Sequence, residues 1–417
     1  MHVRAIVYFI ISFGLIIPLA IPQPGLASDT LSLEEALAIA RQNNPALQMG
    51  EQDVAASEAG IIKAKAYPNP DVNVRVGALP HRENGNTEVS GQALIVDGEV
   101  SQEVEAWGKR GLRKKIAEKD LALTRSEQLV LWQDTALAVK QAYYQVLLMQ
   151  NLSQIARDNR ELAERFLGST ELKFQENEVP YSDVLRTRLE LIMLRKQLVG
   201  TEEDLKTGKR SLNLLLGRPL ETTVSLKDAF RYRALGADLD ALVAQALRDR
   251  PELAAAKIQV ERWDDAVSFS KRTYLPNPRL SVWGEKDGQE INTGGGLGLQ
   301  IPLWNRGKGE QREAKSRKDR AAIAQTYQTQ LVEREVRDVY SDLRKTAKTL
   351  EVEQEGLETS AELIRTSFQG YQEGKASFLA FMETMQAVNQ FREEYFSSLA
   401  RWHIERAALE KAIGSSL

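Results

Sequence analysis

Phe174-Gln-Glu-Asn-Glu-Val-Pro-Tyr-Ser-Asp-Val-Leu185 and Tyr371-Gln-Glu-Gly-Lys-Ala-Ser-Phe-Leu-Ala-Phe-Met382 are one short turn written twice, 197 residues apart. The likeness extends both ways at that spacing, so Trp107–Gly217 aligns with Trp304–Gly414 without a gap. Upstream, Val139-Lys-Gln-Ala-Tyr143 pairs with Val336-Arg-Asp-Val-Tyr340. Downstream, Leu212-Asn-Leu-Leu-Leu-Gly217 pairs with Leu409-Glu-Lys-Ala-Ile-Gly414. A repeat of this length sets the architecture before any local reading, because each copy must build the same unit.

Each turn joins two helix-forming stretches. Leu112–Lys173 has no proline and is rich in Ala, Leu, Gln, Lys, Arg and Glu. It predicts a helix of about 90 Å with solvated faces. A return helix from Ser182 to Leu216 is about half as long. The second copy predicts Gly309–Gln369 and then Leu379–Ile413. Ahead of the first block, Leu31 to about Ala66 reads as helix interrupted near Pro45. Ser32 is its N-cap, with Glu34 and Glu35 where the helix dipole favours acids. Leu33–Ala40 and Pro45-Ala-Leu47 are echoed by Leu239–Ala246 and Pro251-Glu-Leu253. Laid end to end, the leading and return helices of one copy would match one long helix.

Between the leading and long helices the period changes from 3.6 to 2. Pro68-Asn69-Pro70 and Pro276-Asn277-Pro278 stop the helices and force an extended turn. Val72, Val74 and Val76 then alternate with polar residues, as do Val100, Gln102, Val104 and Ala106. In the second copy Leu280 and Val282 alternate with Ser281, and Leu297, Leu299, Ile301 and Leu303 form the clearest run. These predict one hairpin of two-faced strands per copy. The first hairpin carries 11 extra residues, assigned to a loop around Gly77–Val96 that includes His81. Trp107-Gly-Lys-Arg-Gly-Leu-Arg113 and Trp304-Asn-Arg-Gly-Lys-Gly-Glu310 are strand-to-helix corners. Neither has the Gly-Lys-Ser/Thr of a P-loop, and Trp107 and Trp304 suit a membrane–water boundary.

Charged residues are 27% of the 417-residue chain and aromatics 7%, a balance that suits long solvated helices. The net charge of −3 gives no reason to expect a nucleic-acid partner. The absence of cysteine excludes disulfides, thiolate sites and an N-terminal lipobox. His2, His81 and His403 have no zinc spacing, and His403, alone on a helix, reads as structural or solvated. No catalytic constellation, metal site or cofactor is expected. Arg4, the uncharged run Ala5–Ile21 and the small residues Gly25 and Ala27 predict a signal peptide over 1–27, the alternative being an uncleaved anchor. The expected organisation is a first structural repeat over 28–217, a linker over 218–236 and a second repeat over 237–417.

Four amphipathic strands in an exported chain pose a physical problem. An isolated hairpin is marginal in water, and in a bilayer only a closed barrel satisfies every strand edge. Small barrels need about eight strands, so several chains must share one. The attached helices must then bundle on one side of the membrane, making a conduit.

The duplicated order resembles the outer-membrane factors of Gram-negative export systems, the TolC-like outer-membrane efflux proteins. The residues that carry the resemblance are Leu33-Glu-Glu-Ala-Leu with Asn44-Pro45, its echo Arg250-Pro251-Glu-Leu, the two Pro-Asn-Pro segments, the two turns and Leu-Leu-Gly-Arg-Pro219. Gly108-Lys-Arg-Gly and Ile301-Pro-Leu-Trp-Asn-Arg look most like the CzcC-type members, which serve heavy-metal export. The resemblance implies a mainly α chain with a small β part, forming a homotrimer with a 12-stranded barrel in outer-membrane lipid and an α-helical periplasmic tunnel. It implies a passive exit duct fed by an inner-membrane pump of the RND type through a periplasmic adaptor, with no catalysis. The turns would be the periplasmic tip, with Asp183, Tyr371, Gly374 and Glu383 at the gate. Phe174, Val179, Pro180, Ala376 and Ser377 would lie where the adaptor docks. Ala376 and Ala380 depart from the family's basic and acidic latch positions. A soluble periplasmic coiled-coil scaffold is the rival reading; it accounts for the helices and not for the strands.

Overall fold

Why the first helices start and stop where they do is visible in their caps. The computed structural model describes residues 29–82, 89–234, 236, 238–287 and 290–415; the expected signal peptide lies outside them. A short strand β1 (Asp29–Leu31) leads to Ser32, which caps α1 (Leu33–Asn43) in a capping box with Glu35. Asn44 ends α1 and caps α2 (Pro45–Lys65), accepting from the N–H groups of Ala46 and Leu47. Then follow β2 (Asp71–Arg82), β3 (Val89–Glu103), α3 (Lys109–Gln175) and α4 (Tyr181–Leu215). After β4 (Val224–Leu226) the order recurs as α5 (Leu239–Asp249), α6 (Pro251–Thr273), β5 (Pro278–Asp287), β6 (Glu290–Leu299), α7 (Lys308–Gln372) and α8 (Phe378–Ile413). With 67 and 65 residues, α3 and α7 each span about 100 Å.

The end-to-end stacking of half-length helices has a specific joint in each copy. Asn44 donates its side-chain amide to the Leu215 carbonyl at 2.7 Å, tying the α1–α2 break to the end of α4. Arg250 stands in the same place and donates to the Ala412 carbonyl at 3.2 Å, tying the α5–α6 break to the end of α8. Both α4 and α8 end on a glycine at positive φ, Gly217 at 65° and Gly414 at 81°. A Cβ on Gly217 would collide with the Asn43 carbonyl, and one on Gly414 would lie 3.1 Å from that of Asp249. The glycines therefore let one helix end abut the next.

The ungapped alignment fails at one place. The left-handed glycines that precede α3 and α7 are Gly108 and Gly307, 199 residues apart, whereas the left-handed turn residues Asn177 and Gly374 keep the spacing of 197. The first long helix thus starts two residues earlier. In the second copy Asn305 accepts from the Gly307 N–H at 3.0 Å, a side-chain turn that delays the helix.

The four strands form one antiparallel sheet, β2-β3-β5-β6, with the two hairpins joined through β3 and β5. Two expectations about their extent need correction. The strand Leu297–Leu303 stops at Leu299, because Pro302 has no N–H to donate and the Leu303 N–H turns back to the Ile301 carbonyl; β3 likewise stops at Glu103. The 11 extra residues of the first hairpin are not all loop. They lengthen β2 and β3 to 12 and 15 residues, against 10 each in β5 and β6, and His81 pairs with Gly91 within the ladder. The pairing keeps one register as far as His81 and shifts between His81 and Arg82, so most of the extension leaves the hairpin's register intact. On one face Val72, Val74, Val76, Val100, Leu280, Val282 and Leu297 are exposed. On the other, Arg75 pairs with Asp97 at 3.6 Å and Glu99 at 3.9 Å.

The interior repeats as well. Val139, Tyr143 and Leu212 are buried in the first copy, Val336 and Leu409 in the second. The linker is tightly held: β4 pairs in parallel with β1, Leu226 opposite Leu31, while Phe230 and Tyr232 pack on the second core. Three-residue strands are too short to show a period, so neither was legible in the sequence. His403 is structural. It stacks on Tyr144 at 4.5 Å and lies 5.5 Å from Phe230, and burial, with Arg406, pushes its pKa down to about 4. Because the folded pKa lies below the ordinary 6.5, stability is whole above pH 6.5 and declines as the pH falls towards 4. His403→Phe should remove about 2–3 kcal/mol of that decline. The check is the difference in unfolding temperature between variant and parent at pH 7 and pH 4; an equal drop in both would refute it.

Candidate functional site

The distal turns are built identically. In the first, the N–H of Glu178 donates to the Lys173 carbonyl at 2.8 Å; in the second, the N–H of Lys375 donates to that of Gly370 at 2.8 Å. Each closes a long helix with a left-handed residue, Asn177 at φ 58° and Gly374 at φ 74°, the two residue types that tolerate that conformation. An ion pair flanks each turn: Lys173 pairs with Glu178 at 2.9 Å and Lys375 with Glu373 at 2.6 Å. The Glu178 hydrogen bond holds the Lys173 ammonium above its ordinary range. Pro180 precedes α4 and Ser377 caps α8 through the Ala380 N–H at 3.2 Å.

Beneath the turns lies an aromatic cluster. Phe166 on α3 lies 4.6 Å from Tyr371 on α7 and 4.5 Å from Phe381 on α8, and Phe378 stacks on Phe166 at 5.6 Å. Ala163, Leu191, Leu194, Met382 and Met385 complete it. The Tyr371 hydroxyl and the Thr170 hydroxyl share a hydrogen bond of 3.0 Å, and Thr170 donates to the Phe166 carbonyl. The cluster therefore pins the second turn to the long helix of the first copy.

Of the residues singled out in the sequence, Tyr371 is the one placed inside this cluster, 2% exposed. Phe174, its counterpart in the first turn, is exposed and contacts Tyr181 at 5.3 Å. Asp183 is half-buried in the first turn of α4, and Glu383 is exposed on α8. Gly374, Pro180 and Ser377 are exposed, and Val179 and Ala376 are half-buried. Thr170, Phe166 and Phe381 were missed. The signal was available: in a chain with few aromatics, Phe368, Tyr371, Phe378 and Phe381 fall within one short stretch.

At the opposite end of the long helices the corners join the sheet. Trp107 adopts φ 64°, donates its indole N–H to the Pro276 carbonyl at 2.9 Å, and accepts at its own carbonyl from Arg272 at 3.0 Å. Trp304 is 92% exposed. The Lys109 ammonium is buried among the carbonyls of Thr273 and Leu275 and the side-chain oxygen of Asn277. Burial lowers its pKa. The lysine of the first basic, glycine-rich corner is thus occupied with holding the second Pro-Asn-Pro segment and is not open for a phosphate. Among the described residues no group of three His, Asp or Glu could hold a metal ion, and no helix is long and apolar enough to cross a membrane.

A twice-repeated long helical hairpin ending in a four-stranded sheet can be compared with known proteins over its whole length. The model of the outer membrane efflux protein family matches residues 36–218 and 242–415, one match per copy. The chain belongs to that family. Among its relatives is the cobalt-zinc-cadmium resistance protein CzcC of Cupriavidus metallidurans, 21% identical over 399 residues, covering 94% of this chain and 92% of that one. The pyoverdine export outer membrane protein OpmQ of Pseudomonas aeruginosa is 21% identical over 416 residues, covering 92% and 83%. Among solved structures, the Campylobacter jejuni CmeC outer membrane channel superposes with a TM-score of 0.78 at 15% identity, covering 92% of this chain and 85% of that one. The outer membrane efflux family thus supplies the fold in which the turns and the sheet occupy opposite ends of each long helix.

Proposed function

We propose that this chain is the outer-membrane exit duct of a tripartite efflux system. Three copies would close a 12-stranded barrel in the outer membrane of a Gram-negative bacterium, and their helices would line a periplasmic tunnel. The observation that carries the reading is the four-stranded sheet. Its valine and leucine face is exposed and its β2 and β6 edges have no strand partner among the described residues, a state that a closed barrel in lipid resolves. The chain is taken as a signal peptide over 1–27 and two structural repeats, 28–217 and 237–417, joined by 218–236. Trp107 and Trp304 sit at the sheet–helix corners, where a barrel rim would meet lipid headgroups.

The substrate would be delivered by an inner-membrane pump of the RND type through a periplasmic adaptor contacting Phe174, Val179, Pro180, Ala376 and Ser377. The likeness to a cobalt-zinc-cadmium resistance protein over nearly the full length supports divalent metal cations as cargo. A deletion strain should lose resistance to cobalt, zinc or cadmium and keep its resistance to drugs; loss of drug resistance alone would overturn the metal assignment. At the tip, Asp183 and Glu383 would face the ion path, and Gly374 would allow the turn to close. Asp183→Asn with Glu383→Gln should reduce cation over anion permeability several-fold in planar bilayers. Unchanged selectivity would place both side chains away from the constriction.

A further inference from the structure

Within one chain the two copies meet through two contacts that have counterparts without a partner. The first contact is the β3–β5 ladder, with Val100 opposite Val282 and Ser101 opposite Ser281. The second is Lys109, the first residue of α3, seated on the carbonyls of Thr273 and Leu275 and on Asn277 at 3.3, 2.5 and 2.9 Å. Lys308 is the first residue of α7, is exposed, and has no partner among the described residues. Asn69 stands in Pro68-Asn69-Pro70 as Asn277 stands in Pro276-Asn277-Pro278, and it too is exposed and without a partner among the described residues.

We propose that a second copy of this chain completes both contacts: Lys308 of one protomer seats on the carbonyls of Lys65 and Tyr67 and on Asn69 of its neighbour, beside a β6–β2 seam of defined register. The register follows from the repeat. Asp71 pairs with Ser101 and Arg279 with Gly298, so β2 corresponds to β5 and β3 to β6 through those pairs. The internal pairs Val100–Val282 and Ser101–Ser281 then translate into Leu297 opposite Val74 and Gly298 opposite Asn73. In that register Leu297 and Leu299 continue the apolar face of Val72 and Val74. Gly296 falls opposite Arg75, whose side chain is 72% exposed and needs room beside it. The Lys65 carbonyl already accepts from Arg110 and keeps a second lone pair for the ammonium. Without a full set of such partners a desolvated ammonium is unfavourable, so the cradle selects one alignment of the two copies.

The proposal rests on the trimeric reading above, and the experiment separates the two. The chain has no cysteine, so introduced pairs report alone. Leu297→Cys with Val74→Cys, and Gly298→Cys with Asn73→Cys, cover one hydrogen-bonded and one non-hydrogen-bonded pair of the ladder. Mild oxidation of purified full-length protein should cross-link at least one of them into covalent trimers. Leu297→Cys with Val72→Cys or Val76→Cys, slipped by two residues, should cross-link at least tenfold less. In the cysteine-free protein, Lys308→Met and Asn69→Leu should each lower the temperature at which the trimer dissociates, and the double variant should fall no further than the worse single. An intact trimer by light scattering with slipped cross-links, or with additive losses, overturns the seam and leaves the duct reading standing. A protein that is monomeric in detergent overturns both.

Discussion

Arg250→Leu should destabilise the second half of the protomer by about 3 kcal/mol, the cost of removing one member of a buried ionic group. The Arg250 side chain is 4% exposed and bonds Glu252 at 2.7 and 3.0 Å, Glu335 at 2.7 Å and the Ala412 carbonyl. Burial works against its charge, and the Glu252 and Glu335 carboxylates outweigh that and hold it above the ordinary range. Leucine would leave Glu252 without its partner in a half-buried site and the last turn of α8 without its tie. Glu335 is 40% exposed and would turn to water, so Glu335→Gln should cost under about 1 kcal/mol. The first copy supplies the rescue. Asn44 performs the same tie with an amide, so Arg250→Asn should recover part of the loss by capping α6 and reaching towards Ala412. The recovery is partial because Gly414 stands further from Asp249 than Gly217 does from Asn43. Thermal unfolding of the three variants in one detergent checks the order. If leucine were as stable as arginine, the joint would be a surface contact only.

This joint also marks the limit of what the chain discloses when read as a string. Asn44-Pro45 and Arg250-Pro251 are visible as helix interruptions, and the half-helix lengths suggest stacking. That two chemically different side chains reach the corresponding carbonyls, Leu215 and Ala412, is a matter of three-dimensional closure that no period encodes. The long helices were legible from their proline-free, helix-favouring composition, and the strands from short apolar–polar alternation after each Pro-Asn-Pro. The helix starts were not, because one asparagine turn at Asn305 moves a boundary by two residues without disturbing any pattern. The two repeated stretches were legible as turns, whereas the burial of Tyr371 depends on Phe166 and Thr170, far away in sequence.

That burial makes the tip the place where a single truncation should act most selectively. Phe381→Ala removes a ring that is 0% exposed and lies against Phe166 and Phe368. Truncations of this kind cost about 3–5 kcal/mol. At one end of helices about 100 Å long the loss falls on local opening, not on the whole protomer. Each 1.4 kcal/mol is about tenfold in an opening equilibrium, so trypsin cleavage at Lys173 and Lys375 should rise about a hundredfold or more. The aromatic stack around His403 and the Arg250 joint should keep their stability. Tyr371→Phe is the graded control. It keeps the ring, and Thr170 still donates to the Phe166 carbonyl, so its cost should be about 1 kcal/mol. If the turns form the entrance proposed above, a cluster that holds the second turn against α3 would limit how far it can swing, and Phe381→Ala should raise the resting conductance in bilayers while Tyr371→Phe raises it less. If cleavage rose without any change in conductance, the cluster would stabilise the turn without limiting the aperture. If neither changed, the aromatic contacts would be redundant with the backbone caps at Asn177 and Gly374, which both variants leave intact.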